Sequence, residues 1–465
     1  MRTSSPTRLL LAAGLALAAV LAGGLAEANV ARAAEYVRDE VVVGYRSGSS
    51  VATTADAVRR MGVREVSGGA PAANTAVLKL PRGESVAWAI ARLRRERGIA
   101  YAVPNYVAHI ADAGWFPNDP GDTHHRRGWE SLQWNFLDGA GVDAPQAWAN
   151  LIADHRPGGK GVVVGVLDTG VAYRKWNQFR PSPDFDRTKF VAPHDFIAHN
   201  GFPLDREGHG TFVAGTIAES TNNGRGATGL AYGASIMPIR VLDRFGTGDA
   251  STIARGVRYA VTHHAQVINL SLEFTPDVTA ADIPDLLGAI QFATKRGVTV
   301  VAASGNEGLD QVAYPARAPS AIAVGATTKD RCVAEYSNGG PDLALVAPGG
   351  GDDSTTVSDA DCHPGRPLPP IHQMTFFDPR RPTHFGFPGG VFGTSMSAPH
   401  VSATVALVIA SGVLGRHPTP DQIRARLEQT ATPLGSGQPN PQYGYGLLNA
   451  GAATRHETAT TGGQQ

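Results

Sequence analysis

The chain has 465 residues, of which 42% are hydrophobic and 18% charged, with 55 Gly and 32 Pro. This composition excludes a fibrous or wholly disordered chain, and the length allows two or three domains around a large core. The formal net charge is zero, so the sequence predicts no nucleic-acid or anionic-membrane partner. Residues 1–111 carry 14 Lys and Arg against 8 Asp and Glu, and the rest carry 27 against 33. These basic and acidic parts either dock on each other or reflect a chance imbalance.

The first 34 residues have the pattern of a secretory signal peptide. Arg2 and Arg8 precede an apolar stretch over 9–25, and small-residue cleavage sites follow between Ala28 and Ala34. A retained membrane anchor is the alternative, because about 17 apolar residues just span a bilayer. The Ala- and Gly-rich composition favours cleavage. The sequence therefore predicts a secreted protein, extracellular or periplasmic, that is free of the membrane after cleavage.

Residues 36–111 have the pattern of a small α+β domain. Strand and helix patterns alternate along it, at 40–45, 51–61, 75–80 and 85–97. Residues 99–110 predict a closing pair of strands that is interrupted at Pro104-Asn105. The Gly-, Pro-, Asp- and His-rich stretch 112–127 predicts an exposed linker.

Beyond the linker, buried-strand patterns alternate with helical ones, which predicts a mostly parallel sheet with helices on both faces. The predicted strands are 161–167, 236–242, 267–272, 297–303 and 321–324, and the clearest helices are 251–264 and 283–296. Residues 349–390 predict an irregular insertion, and 455–465 a flexible tail. Cys332 and Cys362 are the two cysteines. In an exported protein they either form a disulfide that tethers this insertion or remain free thiols.

Three residues at predicted element boundaries carry the chemistry. Asp168 directly follows the strand 161–167, His209 lies between two glycines at a helix start, and Ser395 follows Gly-Thr at another helix start. Each alone fits a structural role as a cap or a hydrogen-bonded side chain. Together, in the order Asp, His, Ser, they match an acyl-transfer triad. An α/β-hydrolase does not fit, because Ser397 replaces the last glycine of G-x-S-x-G and the Asp and His precede the serine.

These residues lie in motifs that resemble those of subtilisin-like serine peptidases, the S8 subtilase family. The motifs are VLDTGV around Asp168, GHGTFVAGTIA around His209, ASGNEG around Asn306 and GTSMSAPHV around Ser395. The resemblance implies that Ser395 is the nucleophile, His209 the general base and Asp168 its partner. It also implies that Asn306 and the Ser395 backbone N–H form the oxyanion hole.

The resemblance extends to accessory sites. Substrate is expected to bind by strand addition between Ser271-Leu272-Glu273 and Ala303-Ser304-Gly305. Glu273 stands where the family usually has glycine, so it favours basic substrate residues, crowds the cleft or points to solvent. Asp119 and Asn222-Asn223-Gly224 resemble positions near a structural calcium site, although Asn-Gly is also a common turn. No catalytic cofactor is implied.

The resemblance covers residues 36–454, with 36–111 as an inhibitory propeptide and 112–454 as the catalytic domain. It predicts a secreted, monomeric serine endopeptidase made as an autoprocessed zymogen. Its partners are expected to be protein or peptide substrates and its own propeptide, acting as intramolecular chaperone and inhibitor. A non-catalytic peptide-binding protein is disfavoured because all four catalytic positions are intact. An intracellular or membrane-anchored processing enzyme is disfavoured by the signal-like start.

Overall fold

The computed structural model describes residues 36–46, 62–68, 75–81, 83–106, 114–122, 128–357, 359–376 and 378–456. The chain divides into two compact units, one ending at Ile110 and the other beginning at Ala111. The predicted signal peptide, the helix predicted over 51–61 and residues 457–465 of the predicted tail lie outside the described residues. In the described part, no helix has both the length and the hydropathy needed to cross a bilayer.

The N-terminal unit is an antiparallel sheet with a helix. Its elements are β1 (Tyr36–Tyr45), β2 (Arg64–Gly68), β3 (Thr75–Lys79), α1 (Val86–Leu93) and β4 (Ile99–Tyr106), and the strand order is β2-β3-β1-β4. Val41 and Val43 alternate along β1 and are fully buried, together with Leu78 and Leu93. Ser85 caps α1 by accepting the Trp88 N–H.

One feature of this unit was not predicted. The strand β2 escaped prediction because the segment REVSG has a single large apolar residue. The strand β4 includes Pro104-Asn105, and its pairing with β1 is irregular where the break was predicted. The register shifts between the pairs Val41–Pro104 and Tyr36–Tyr106.

The second unit is built on an eight-stranded parallel sheet, which confirms the predicted fold class. Its strands are β5 (Val163–Asp168), β6 (Lys189–Phe190), β7 (His194–Asp195), β8 (Ser235–Arg240), β9 (Val267–Leu270), β10 (Thr299–Ala303), β11 (Ala321–Thr327) and β12 (Leu345–Pro348). The order is β12-β11-β10-β9-β5-β8-β6, and β7 pairs with the end of β8. The predicted strands and helices of this unit all occur, with ends that differ by up to three residues.

Helices cover both faces of this sheet. They are α2 (Trp129–Leu132), α3 (Ala144–Ala153), α4 (His209–Ala218), α5 (Ala250–Thr262), α6 (Pro284–Lys295), α7 (Thr394–Ser411), α8 (Pro420–Thr430) and α9 (Ala450–Ala453). α7 packs against β5 and β9–β12 on one face, and α5 and α6 pack together on the other. Successive strand residues point to opposite faces of the sheet and pack in two hydrophobic cores. Val166 and Val301 lie in the core beneath α7, and Leu167 and Val300 lie in the core on the opposite face. Burial on both faces explains the continuous apolar strands.

The strand β5 lies where the direction of winding reverses. Its neighbours are β8 on one side and β9 on the other. The strands β6–β8 therefore lie on one side of β5, and the later strands β9–β12 lie on the other. In open α/β sheets, ligands bind in the crevice beyond the carboxyl ends of strands at such a point. Asp168 is the last residue of β5, and this crevice is therefore the expected place for chemistry.

Two segments predicted to be irregular pack closely on this unit. Within the predicted linker, Trp115 contacts the buried Trp148 edge-on at 5.8 Å, and Asp119 is only 2% exposed. In the insertion 349–390, Gln373 is fully buried and accepts a hydrogen bond from Gln133 at 2.7 Å. The insertion also contains two paired strands, β13 (Thr375–Phe376) and β14 (Phe385–Gly386). The described parts of both segments are ordered by contacts with residues distant in sequence.

Candidate active site

Asp168 and His209 form a close pair at the end of β5. Asp168 is fully buried, and its two carboxylate oxygens lie 2.8 and 3.0 Å from His209 Nδ1. His209 is the first residue of α4 and its side chain is 27% exposed. A side chain at Gly210 would overlap the Gly170 carbonyl oxygen, so glycine at 210 is required for the helix to approach β5 this closely.

Asp205 holds this pair in place and was missed by the sequence analysis. Its buried carboxylate accepts hydrogen bonds from the Thr169 hydroxyl at 2.9 Å, the Gly208 N–H at 2.9 Å and the Thr211 N–H at 2.9 Å. It therefore joins the loop after Asp168 to the first turn of α4. An acidic residue shortly before a helix start was the available signal, because it can accept the unpaired N–H groups there.

The charges around His209 favour its protonated form. Burial of the imidazole opposes protonation, but the carboxylates of Asp168, Glu207 and Asp205 outweigh it and raise the pKa of His209 to about 9. Glu207 also accepts the His209 backbone N–H at 2.8 Å. The free imidazole is consequently charged at neutral pH and becomes a base only in alkaline solution.

Ser395 lies in the first turn of α7 and is linked to Ser271. Its hydroxyl donates to the Ser271 carbonyl at 3.4 Å, and its own carbonyl accepts from the Ser271 hydroxyl at 2.8 Å. Pro399 was expected in the first helical turn but lies in the second, where its missing N–H leaves the Ser395 carbonyl without a helical donor. Ser271 supplies that donor. Within the described residues, no hydrogen bond joins the Ser395 and His209 side chains.

The neighbouring Ser397 has a different environment. It is fully buried, and its hydroxyl donates to the Ala347 carbonyl of β12 at 2.9 Å. Ser397 thus anchors α7 to the sheet, whereas Ser395 is partly exposed.

Asn306 is held in one orientation by the start of α7. Its Oδ1 accepts the Thr394 N–H at 2.8 Å and the Thr394 hydroxyl at 3.1 Å, which fixes the opposite side of the amide as the donor. Asn306 Nδ2 then donates to Glu273 Oε1 at 2.8 Å, and the Asn306 backbone N–H donates to Glu273 Oε2 at 2.9 Å. The expectation that Glu273 points to solvent is therefore wrong, because its carboxylate binds the residue implied as the oxyanion donor.

The two predicted substrate-binding segments leave neighbouring strands. Ser271-Leu272-Glu273 follows β9 and Ser304-Gly305 follows β10, with Ala303 as the last residue of β10. β9 and β10 are paired in parallel, so the two segments begin side by side at the carboxyl ends of these strands. Leu272 is 8% exposed, and the Ser304 hydroxyl donates to the Asn338 carbonyl at 2.8 Å. The buried Ser304 side chain therefore holds its segment against the loop at Asn338.

The insertion supports the start of the His209 helix. The Thr375 hydroxyl donates to the Gly208 carbonyl at 2.6 Å, one residue before His209. Cys332 and Cys362 are joined by a disulfide, and Cys332 is fully buried. This bond ties the insertion to the segment after β11.

The predicted metal residues are close together. The Asp119 carboxylate accepts the backbone N–H groups of Asn222 and Asn223 at 2.8 and 3.0 Å. The sequence analysis missed two more carboxylates, Asp184 and Glu219, which are fully buried. Each interacts electrostatically with Asp119. Burial raises the pKa of Asp119 to about 6 and that of Asp184 to about 7, and it raises the pKa of Glu219 well above its usual value.

A separate group of possible metal ligands lies beside the disulfide. Asp330, Asp353 and His363 have ligand atoms within 4.8 Å of one another. The Arg366 guanidinium forms an ion pair with Asp330, and the Thr328 hydroxyl donates to Asp353 at 2.5 Å. The group thus combines an ion pair at Asp330 with hydrogen bonds at Asp353.

The chain belongs to the subtilase family of serine peptidases. Residues 159–446 match Peptidase_S8, the Subtilase family, and residues 25–105 match the fervidolysin N-terminal prodomain. The protein is therefore a subtilisin-like serine peptidase with an N-terminal prodomain, and the resemblance inferred from the motifs is confirmed.

Individual relatives agree with this assignment. A thermophilic serine proteinase of Bacillus sp. (strain AK1) is 30% identical over 417 residues, which cover 89% of this chain and 87% of the relative. Subtilisin Savinase of Lederbergia lenta is 38% identical over 297 residues, 64% of this chain and 92% of the relative. A solved protease structure from Pseudoalteromonas arctica PAMC 21717 is 28% identical with a TM-score of 0.57, covering 73% of this chain and 98% of that one.

Proposed function

We propose that this peptidase is a secreted endopeptidase that cleaves peptide bonds through Asp168, His209 and Ser395 and is made as an autoprocessed zymogen. The observation that carries the proposal is the Asp168–His209 pair at the end of β5, at 2.8 Å. It lies in the crevice where the winding of the sheet reverses. A buried carboxylate that accepts from Nδ1 leaves Nε2 as the only ring nitrogen able to take a proton.

The reaction follows from this tautomer. Neutral His209 accepts the Ser395 hydroxyl proton at Nε2 while Ser395 Oγ forms a bond to the carbonyl carbon of the peptide. The imidazolium, stabilised by Asp168, then gives the proton to the leaving amine as the C–N bond breaks. Water repeats the sequence in the second half, releasing the acid and restoring the serine. Ser395 Oγ has to turn from the Ser271 carbonyl towards His209 for the first step.

Two N–H donors stabilise the negative oxygen in our proposal. One is the Ser395 backbone N–H, which at the second position of α7 has no acceptor within the helix. The other is Asn306 Nδ2, oriented by Thr394. Loss of one such side-chain donor costs roughly 10² to 10³ in kcat, a value known from subtilisin. No catalytic cofactor is needed for this chemistry.

The zymogen part of the proposal rests on the N-terminal region. Residues 1–34 would be removed as a signal peptide, and residues 36–111 would act as chaperone and inhibitor until cleavage near Ala111. The prodomain match over 25–105 and the division of the chain at Ile110 support this assignment. Residues 112–454 would then form the mature, monomeric enzyme, with 455–465 as a flexible tail.

Mass spectrometry of the full chain and its variants tests the proposal. We expect wild-type protein to yield a mature form beginning near residue 112 and to cleave unfolded protein substrates. Ser395→Ala should remain as the precursor and cleave nothing. Ser397→Ala is the matched control, because it removes a serine hydroxyl two residues away that binds Ala347. Unchanged processing and activity in Ser395→Ala would refute the proposal.

We further propose that a structural calcium ion binds at Asp119, beside Asn222. The Asp119 carboxylate is 2% exposed and lies against the turn at Asn222 and Asn223, and the buried carboxylates of Asp184 and Glu219 add negative charge nearby. Oxygen donors in a turn with this excess of negative charge fit Ca²⁺. The ion would offset the burial that raises the pKa of Asp119.

Thermal unfolding with calcium or with a chelator tests this site. At a calcium concentration about 100-fold above Kd, binding stabilises by about 2.7 kcal/mol and should raise Tm by roughly 5 °C. Asp119→Asn should lose that increase. Asp282→Asn, at an exposed position, should keep it. An equal Tm with calcium and with chelator in the wild type would contradict the proposal.

A further inference from the structure

The amide of Asn306 is bound by Thr394 and Glu273 in the free protein. Its Oδ1 accepts two hydrogen bonds from Thr394, and Glu273 accepts one hydrogen bond from Nδ2 and another from the backbone N–H. The two Glu273 contacts, at 2.8 and 2.9 Å, use both carboxylate oxygens. Gly305 makes this approach possible, because a Cβ there would lie 2.7 Å from Glu273 Oε2.

This contact opposes the proposed oxyanion contact. Nδ2 carries two N–H groups, and one of them donates to the Glu273 carboxylate. A second bond from Nδ2 to the substrate oxygen therefore forms beside a negative charge of the same sign as the oxyanion. A substrate that does not offset this charge reacts at a disadvantage of roughly 10- to 100-fold.

The charges near Glu273 are of its own sign. Burial and the negative charge of Glu307 raise the pKa of the Glu273 carboxyl. Glu307 also accepts the Asn306 backbone N–H at 3.1 Å. Among the described residues, no Lys, Arg or His forms an ion pair with Glu273. Two carboxylates without a cation beside a substrate channel are complementary to a positive group on the substrate.

We propose that Glu273 selects substrates with lysine or arginine at the residue that supplies the scissile carbonyl. The cationic side chain pairs with the Glu273 carboxylate and offsets its negative charge beside Asn306 Nδ2, which favours the oxyanion. The inference rests on the proposed peptidase function, and it names the substrate class of that same site. Selectivity follows from the position of Glu273: it belongs to the segment after β9, one wall of the channel, and it touches the donor that faces the reacting carbonyl.

Two matched peptides measure this selectivity. They are internally quenched, identical in sequence, and carry either lysine or norleucine at the residue that supplies the scissile carbonyl, so they differ by one ammonium group. We expect wild-type kcat/KM to be about 10- to 100-fold higher for the lysine peptide at about pH 9, where lysine is still charged. In Glu273→Gln and Glu273→Gly the ratio of the two values should fall to within about 3-fold of unity.

Controls separate this inference from the peptidase proposal. Glu335→Gln removes one negative charge at an exposed position of the same unit, and it should keep the wild-type ratio. If wild type cleaves both peptides but prefers neither, or if Glu273→Gln keeps the lysine preference, the inference fails while the peptidase stands. If both peptides are cleaved faster by Glu273→Gln with an unchanged ratio, the Glu273 charge only opposes the oxyanion and the selectivity is refuted. If wild type cleaves neither, or Ser395→Ala cleaves both equally, the peptidase function itself fails.

Discussion

The acid limb of the pH–activity profile, where activity rises with pH, is the most direct test of the electrostatics around His209. The pKa of His209 is about 9 against a usual value of 6.5, because the carboxylates of Asp168, Glu207 and Asp205 favour the imidazolium. His209 must be neutral to act as a base. We therefore expect wild-type kcat/KM to rise with pH and to level off above about 9.

Substitution of Glu207 by Gln removes one of the charges that hold this proton. Glu207 accepts the His209 backbone N–H at 2.8 Å, and its charge is one cause of the raised pKa of His209. A unit charge about 5–10 Å away at an effective dielectric constant of about 40 contributes roughly 1 kcal/mol, or slightly less than one pH unit. The limb of Glu207→Gln should lie near pH 8. At pH 7 the variant would reach about one tenth of its plateau, against about one hundredth for wild type.

The assay is kcat/KM for one peptide substrate between about pH 6 and 11, in wild type, Glu207→Gln and Glu335→Gln. Glu335→Gln makes the same change of net charge at an exposed position and should leave the limb in place. The limb position is independent of any change in plateau height. A wild-type limb near 6.5, or a Glu207→Gln limb at or above the wild-type value, would refute the reasoning.

Two further predictions concern the insertion before Ser395. Thr375→Val leaves the buried Gly208 carbonyl without its 2.6 Å donor, so we expect about 1–3 kcal/mol lower stability in chemical unfolding and lower kcat. Thr383→Val, at an exposed position of the same insertion, should change neither. Cys332→Ser with Cys362→Ser opens a loop with a sequence separation of 30 residues and should lower the free energy of unfolding by roughly 3–4 kcal/mol. Equal stability of the oxidised and reduced wild type in the same experiment would contradict this expectation.

The central sheet was predictable because its strands are buried on both faces. Runs such as GVVVGVL before Asp168 have no polar positions, and only a parallel sheet covered by helices buries such runs completely. The strands that escaped prediction are short or mixed in character. β6 and β7 have two residues each, and β2 is largely polar. Their pairing is set by neighbouring strands rather than by their own sequence.

The order of the insertion and of residues 114–122 was not predictable for a related reason. Gln373 is buried because Gln133, 240 positions away, donates to it, and Asp119 is buried because the loop at Asn222 folds over it. Polar composition is typical of exposed loops. A polar segment becomes ordered when distant partners satisfy its groups, and composition does not reveal those partners.

The motifs located the residues expected to react but not the residues that act on them. Asp205 reaches Thr169, and Glu273 reaches Asn306, across 36 and 33 positions of sequence. The resemblance to the family implied only that Glu273 stands where glycine is usual, which left three interpretations open. The structure removes one of them, because a carboxylate that accepts two N–H groups from Asn306 does not point to solvent. In our proposal the remaining two are linked: the Glu273 charge beside Asn306 opposes the oxyanion, and a cationic substrate is the partner that offsets it.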